Sequence, residues 1–360
     1  MRWSNVMRRK VLFMLPSLNG GGAERVLLIL LKHLDPAKFD VSLAVVAFEG
    51  PYVKQLPPNI SIYDLGVKRV RYMFIPLLKL VWKLKPDTIF STLGYLNIAL
   101  VLLRPFLAKR VKLIIREGSI VSYSIKHGKL AFLWPYLYRT FYKKADLIVC
   151  QSRFMMKDLE DHFQIPAGKM RQIYNPVDID TIKRKAGSGE NPFAGKAGTN
   201  IVAIGRLSHE KGFARLIESV PDLLMVRPDA RLWILGTGPL ENELRSLTYS
   251  LGLHDRVIFA GFQENPYCWL KHADLFVLSS FFEGLPNVLL EAIALSCPVL
   301  AIRHPGGTGE IMELTGQSDR LIDTIGWKED WFARPDRKAS VKLEQHFEVG
   351  GIVGQYASVM

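Results

Sequence analysis

Carboxylates are scarce in the first half of this 360-residue chain. Residues 1–180 hold 28 Lys and Arg against 13 Asp and Glu, whereas the remaining 180 hold 19 against 21. The whole formal excess of +13 therefore belongs to the first half, which implies a local anionic partner and not merely general solubility. Cysteine is scarcer still. Cys150, Cys268 and Cys297 lie in apolar runs without CxxC or metal-ligand spacing, which excludes a disulfide framework and leaves three reduced core residues. A reducing, cytosolic compartment is the expectation. Long apolar runs are missing as well: a bilayer span needs about 18 uncharged residues, and the best stretch, Ile98 to Leu103, stops at Arg104. The start, "MRRKVLFMLPSL", has the basic flank and apolar run of a signal peptide but no small-x-small cleavage site, and reads as a first β-strand.

What is present describes a globular protein: 49% of residues are hydrophobic and 22% charged, and the length favours two domains. Short apolar runs bounded by turns alternate with helical patterns. Residues 10–16, 41–48, 87–92, 112–117 and 146–152 read as parallel strands of one sheet, and 200–207, 230–236, 256–261, 274–280 and 297–302 as those of another. The spacing predicts an α/β protein with a first domain over 1–182, a Gly- and Lys-rich linker over 183–199, a second domain over 200–344 and a closing segment over 345–360. "KKADLIVCQS" (143–152) and "KHADLFVLSS" (271–280) share K-x-A-D-L-x-V-x-x-S, as two domains would in which a helix delivers a buried strand at the same stage. In such sheets ligands bind beyond the carboxyl ends of the strands, so a cleft between two facing sheets is the place expected for chemistry.

Four loops fall at those ends. In "SLNGGGAERVLLIL", Gly20, Gly21 and Gly22 allow close backbone approach ahead of a helix whose N–H groups suit an anion, or simply make a tight turn. The dinucleotide fingerprint is excluded, since no third glycine stands in place. In "GRLSHEKGFARLIESV", Arg206 and Lys211 pair a planar fork with a point charge, a combination that suits a diphosphate, while Gly205 and Gly212 remove bulk. Gly236 and Gly238 in "LGTGPLENEL" repeat the design and would admit a planar base. In "EGLPNVLLEAIAL", Glu283 precedes a helix that carries Glu291 among Leu289, Leu290 and Ile293. The neighbours one turn from Glu291 (Asn287, Val288, Ala294 and Leu295) offer no cation, and a buried carboxylate needs a partner. A ribose diol outside the chain would serve, and a backbone amide is the plainer alternative. His304, before Pro305 and two glycines, is either a cleft residue or a turn residue.

Taken together, "GGGAERV", "GRLSHEKG", "LGTGPLENEL", "FFEGLPNVLLEA" and "HPGGTGEI" resemble the motifs of family-4 glycosyltransferases in order and approximate spacing, over nearly the whole chain. The resemblance implies the GT-B fold, two Rossmann-like domains with parallel sheets facing across a cleft. It implies retaining transfer from a nucleotide-diphosphate sugar, most simply a UDP-sugar such as UDP-GlcNAc, UDP-GalNAc or UDP-hexose, with neither metal nor cofactor. Arg206, Lys211 and Glu283 would be catalytic. Gly21, Gly22, Gly205, Gly236, Gly284, Leu285, Asn287 and Glu291 would bind the donor, and the last segment would cross back onto the first domain. Where many relatives carry a histidine after the strand matching "KLIIREGS", this chain has Arg116 followed by Glu117, which stand as possible contacts to acceptor or donor sugar.

Cations and large apolar residues mix in "VKRVRYMFIPLLKLVWKLK" (67–85) and in "KHGKLAFLWPYLYRTFYKK" (126–144), where Lys126, Lys129, Lys143 and Lys144 flank Phe132, Trp134, Tyr136, Tyr138, Phe141 and Tyr142. Such composition suits an anionic membrane surface. No nucleic-acid module signature is present, and the cations are interleaved with apolar runs, so nucleic acid is not an expected partner. The expectation is a peripheral enzyme on the inner face of the cytoplasmic membrane. It would act on a lipid-linked glycan in bacterial surface-polysaccharide assembly (O-antigen, capsule or lipopolysaccharide). A nucleotide-sugar 2-epimerase of the same fold and a non-catalytic membrane- or glycan-binding relative are the alternatives.

Overall fold

The computed structural model describes residues 8–125, 132–335 and 338–360. They divide into two compact units: residues up to 176 together with 349–360, and residues 177–348.

The first unit is built on a parallel sheet of β1 (Arg9–Leu15), β2 (Phe39–Val45), β3 (Ser61–Asp64), β4 (Thr88–Thr92), β5 (Lys112–Arg116), β6 (Leu147–Cys150) and β7 (Met170–Gln172), in the order β3-β2-β1-β4-β5-β6-β7. The central strands are buried on both faces, as their near-continuous apolar runs require. The order reverses between β1 and β4. The last helix, Val349–Val359, belongs to this unit. Tyr356 packs edge-on against Phe90, which meets Phe13 at 5.2 Å, and the Val359 and Met360 carbonyls accept from Lys112 Nζ at 2.7 Å and Thr88 Oγ1 at 2.9 Å.

The second unit carries β8 (Asn200–Ile204), β9 (Arg231–Leu235), β10 (Val257–Gly261), β11 (Leu275–Leu278), β12 (Val299–Ile302) and β13 (Leu321–Ile322), parallel in the order β10-β9-β8-β11-β12-β13. Its reversal point is β8/β11. Thus each of the ten strands expected from the sequence exists, mostly one to three residues shorter. The residues trimmed at the carboxyl ends, among them Glu117, Gln151, Gly205, Arg206, Ser279 and Ser280, form the strand-end loops.

Three strands escaped the pattern: β3 is an exposed edge with almost no buried residue, and β7 and β13 have three and two residues. Neither alternation nor an apolar run can show in so little chain. The proposed linker is also corrected, because residues 183–188 are the end of the helix Ile179–Ser188. That helix buries Ile179, Ile182 and Ala186 at helical spacing and is capped by the Asp178 side chain. The closing segment is two helices, Lys338–Phe347 and Val349–Val359, separated at Glu348.

Both copies of the A-D-L motif do the same work. Asp146, before β6, accepts the Leu113 N–H of β5 at 2.7 Å while its own N–H bonds the Leu113 carbonyl. Asp274, before β11, holds Asn200 of β8 in the same way at 2.7 Å. Asp87, before β4, repeats it on Lys10. Each carboxylate pins strand register at the amino end of a sheet whose carboxyl end carries the loops.

Candidate active site

In the second unit, the loops after β8 and β9 touch through glycine. A Cβ on Gly236 (φ +134°) would collide with the Gly205 carbonyl oxygen, and one on Gly238 with that of Leu207. Only backbone without side chain allows that approach. The loop after β8 ends in the turn His209–Lys211, which brings Lys211 to the loop after β11. There Lys211 Nζ donates to Glu283 Oε1 at 2.6 Å, and Ser280 Oγ donates to the same oxygen at 2.7 Å. Both ionic side chains are half-buried. Glu283 is held in turn by the loop after β12: its N–H bonds the Pro305 carbonyl, and Gly307 N–H bonds that of Gly284. Arg206 stands apart, exposed to solvent.

A second set of ties, which sequence reasoning missed, stitches the same two loops. Arg215 donates to the carbonyls of Ser279 (2.8 Å) and Ser280 and lies 4.2 Å from the centre of the Phe281 ring. His209 stacks on Phe281 at 5.1 Å, and Ser279 Oγ donates to the Lys211 carbonyl at 2.9 Å. Gly212 (φ +62°) admits the Ser279 carbonyl where a side chain would collide. His304 sits beneath: its Nδ1 bonds the Ile302 carbonyl at 2.7 Å, so Nδ1 carries the proton and Nε2 accepts from Thr308 Oγ1 at 2.8 Å. Burial lowers its pKa against the pull of Glu283, which keeps the imidazole neutral.

Glu291 is buried on the helix Asn287–Ala294. It is not without a partner inside the protein, and neither are Leu285 and Asn287. Of the two partners that the sequence leaves open for it, a ribose diol and a group of the protein, burial alone does not require the diol.

Arg116 and Glu117 also differ from expectation. Arg116 is 1% exposed; its guanidinium donates to Tyr356 Oη (3.1 Å), Thr92 Oγ1 (3.1 Å) and Asn175 Oδ1 (2.6 Å). It is an internal anchor that ties β4, the end of the unit and the last helix together, and it presents no face to a sugar. Glu117 is buried beside it. Its Oε1 accepts from Asn97 Nδ2 at 3.2 Å, and the Tyr138 hydroxyl and the Glu117 carboxyl both crowd Gly94. Burial pushes the Glu117 pKa up to about 8, against the opposing pull of Asn97 and Arg116. Of the aromatic residues proposed for a membrane face, Tyr138 and Tyr142 are core residues, whereas Phe132 and Tyr136 are exposed. Lys126 and Lys129 lie outside the described residues. Among the described residues no cluster of metal-ligating side chains occurs, and no helix is long and apolar enough to cross a membrane.

Comparison with known proteins meets this geometry at both units. The family profile described as Glycosyltransferase Family 4 matches residues 20–181, and that described as Glycosyl transferases group 1 matches residues 198–330. A Campylobacter jejuni protein, N-acetylgalactosamine-N,N'-diacetylbacillosaminyl-diphospho-undecaprenol 4-alpha-N-acetylgalactosaminyltransferase, is 32% identical over 310 residues, which cover 82% of this chain and 81% of that protein. The chain belongs to glycosyltransferase family 4. A Rhizobium meliloti lipopolysaccharide core biosynthesis glycosyltransferase, LpsD, is 34% identical to this glycosyltransferase over 44% of its length and 47% of its own. Among solved structures, Anabaena HepE in complex with UDP-glucose shares the GT-B fold with it at a TM-score of 0.80 and 20% identity, over 97% of this chain and 98% of the other.

Proposed function

We propose that this glycosyltransferase moves a sugar from a UDP-sugar to a lipid-linked glycan during bacterial surface-polysaccharide assembly, with retention of anomeric configuration and without a metal ion. The observation that carries this reading is the Lys211–Glu283 pair at the β8/β11 reversal point, where open α/β sheets take their ligands. The diphosphate takes Lys211 and recruits the exposed Arg206, and Glu283, released from Lys211, accepts hydrogen bonds from the sugar hydroxyls. As the bond from the anomeric carbon to the diphosphate breaks, the two cations hold the charge that develops on the leaving oxygen. The acceptor hydroxyl bonds to the same carbon on the face the diphosphate leaves, and its proton departs with the diphosphate. Support for the donor and the acceptor class comes from the UDP-glucose held by Anabaena HepE and the undecaprenol-linked substrate in the name of the Campylobacter relative.

The anionic partner of the basic half is, in this reading, a membrane surface, and the helix Phe74–Leu84 meets it. Its inner face buries Leu77, Leu80 and Val81. Outward stand Ile75 and Trp82, with Tyr72 just before them, at 68%, 64% and 57% exposure. Residues 65–86 carry six cations and no carboxylate.

Calorimetric titration of UDP, GDP and ADP without metal tests the donor site. UDP binds, and Lys211→Ala and Arg206→Ala each weaken it by roughly 10- to 100-fold, the worth of a charged hydrogen bond. Unchanged affinity in both variants refutes the assignment. NMR of the first-formed product reports the anomeric outcome.

A further inference from the structure

The Lys211–Glu283 pair occupies the carboxyl ends of the second sheet. Toward the amino ends the same unit holds a cavity of about 580 Å³. Lys271, on its wall, lies four residues before β11, and Ser296 lies three before β12, so the length of two parallel strands separates the cavity from the loop that carries Glu283. Four helices of the second unit pack around it: Ile179–Ser188, Pro266–His272, Asn287–Ala294 and Lys338–Phe347. Together they carry six Lys and Arg against Asp180, Glu291 and Glu344, whereas residues 181–360 as a whole carry 19 against 21. Cations are therefore concentrated here within a half of the chain that has no excess of them.

The second observation is a set of polar groups without partners. Lys183, Lys271 and Glu344 line the cavity, and among the described residues none of their side chains makes an ion pair or a hydrogen bond. Ser296 lines it too, and its hydroxyl is likewise unpaired among the described residues. Ser296 holds φ +54°. It turns the chain out of the helix Asn287–Ala294 and lets the Cys297 N–H return to the Ala292 carbonyl at 3.0 Å. Glycine is the usual residue at such a turn, because a side chain is strained there. Here the strained position keeps a hydroxyl on the cavity wall. Complementing the helix dipole would use the two lysines but neither the glutamate nor the serine.

We propose that this cavity binds the phosphate monoester of a sugar. Lys183 and Lys271 hold the phosphate as two point charges. Glu344, which repels a bare anion, accepts hydrogen bonds from ring hydroxyls, and the Ser296 hydroxyl adds a donor and acceptor beside it. The volume falls within the roughly 300–1,000 Å³ of small-molecule sites. The site is apart from the Lys211–Glu283 pair, so it stands or falls independently of the donor assignment.

The test is equilibrium binding to the full chain, with UDP present throughout to occupy the carboxyl-end site. Glucose 1-phosphate, glucose 6-phosphate and N-acetylglucosamine 1-phosphate are titrated by calorimetry and saturation-transfer NMR, with glucose and inorganic phosphate alongside. At least one sugar phosphate binds, and binds more tightly than either glucose or inorganic phosphate. Lys183→Ala and Lys271→Ala each weaken it about tenfold or more, the worth of a charged hydrogen bond, while UDP affinity is unchanged. Glu344→Gln narrows the preference for the sugar phosphate over inorganic phosphate. Ser296→Gly removes the hydroxyl and the backbone strain together, so it weakens the sugar phosphate about two- to tenfold while the melting temperature holds or rises. A purely structural serine would move the melting temperature alone. Binding of no sugar phosphate, equal binding by the wild type and the variants, or inorganic phosphate binding as tightly as its sugar esters overturns the proposal.

Discussion

Arg116 and Glu117 are adjacent in the chain, and burial sets them different tasks. The arginine places its donors on three neutral oxygens. The glutamate, with its pKa pushed up to about 8 by desolvation, is protonated in the folded protein near neutral pH. An unfolded glutamate loses its proton near pH 4.5, so between these values the native state binds the extra proton. Stability from this group is therefore complete below about pH 4.5 and is lost as pH rises through about 8, at no more than about 1.4 kcal/mol per unit. Urea unfolding at pH 6 and pH 8.5 should show the wild type losing more stability over that interval than Glu117→Gln; parallel losses would contradict a neutral Glu117. His304 has the opposite sign. Burial lowers its pKa, so its contribution is present above about pH 6.5 and falls as the solution becomes more acid.

At the scale of elements, the same device recurs at the start of β4, β6 and β11, where an aspartate bonds the backbone of the strand beside it. Asp274→Ala leaves the Asn200 N–H buried without its acceptor and should cost about 1–3 kcal/mol in urea unfolding. A change at exposed Asp40 should stay within about 0.5 kcal/mol, and equal effects would show that the register pin contributes nothing. The helix Phe74–Leu84 is the element that faces a bilayer in the proposed function. Flotation with vesicles containing phosphatidylglycerol should recover the wild type. Lys79→Glu and Lys83→Glu should each weaken binding by about fivefold or more, since a surface cation is worth about 1 kcal/mol there, and Trp82→Ser should weaken it further with UDP affinity intact. Undiminished flotation of all three variants would move the membrane contact elsewhere.

At the scale of the whole molecule, the chain returns at its end to complete the unit it began. Residues 349–360 close the first sheet through Tyr356, which is fully buried against Phe90 and accepts from Arg116 Nε at 3.1 Å. Tyr356→Phe keeps the ring and removes the acceptor, so thermal melting should register about 1–3 kcal/mol of lost stability from the buried guanidinium; a neutral substitution would mean that solvent or another group satisfies it.

Much of this architecture was legible in the sequence. Parallel strands buried on both faces need continuous apolar runs, and tight strand-end loops need glycine, so ten strands, two units and the glycosyltransferase motifs stand in local pattern. Edge strands of two to four residues, by contrast, bury too little to leave a signature. The helix Ile179–Ser188 hid because its three buried residues are diluted by lysine and glycine. Other features were decided by tertiary structure alone. Lys211 meets Glu283 over 72 positions, Arg116 reaches Tyr356 over 240, and Glu24 turns back onto Gly21. Periodicity and turn chemistry act over a few residues and can be read from them. Which distant side chains share a buried site depends on strand order and on what each group loses on leaving water, and both arise only when the sheets assemble.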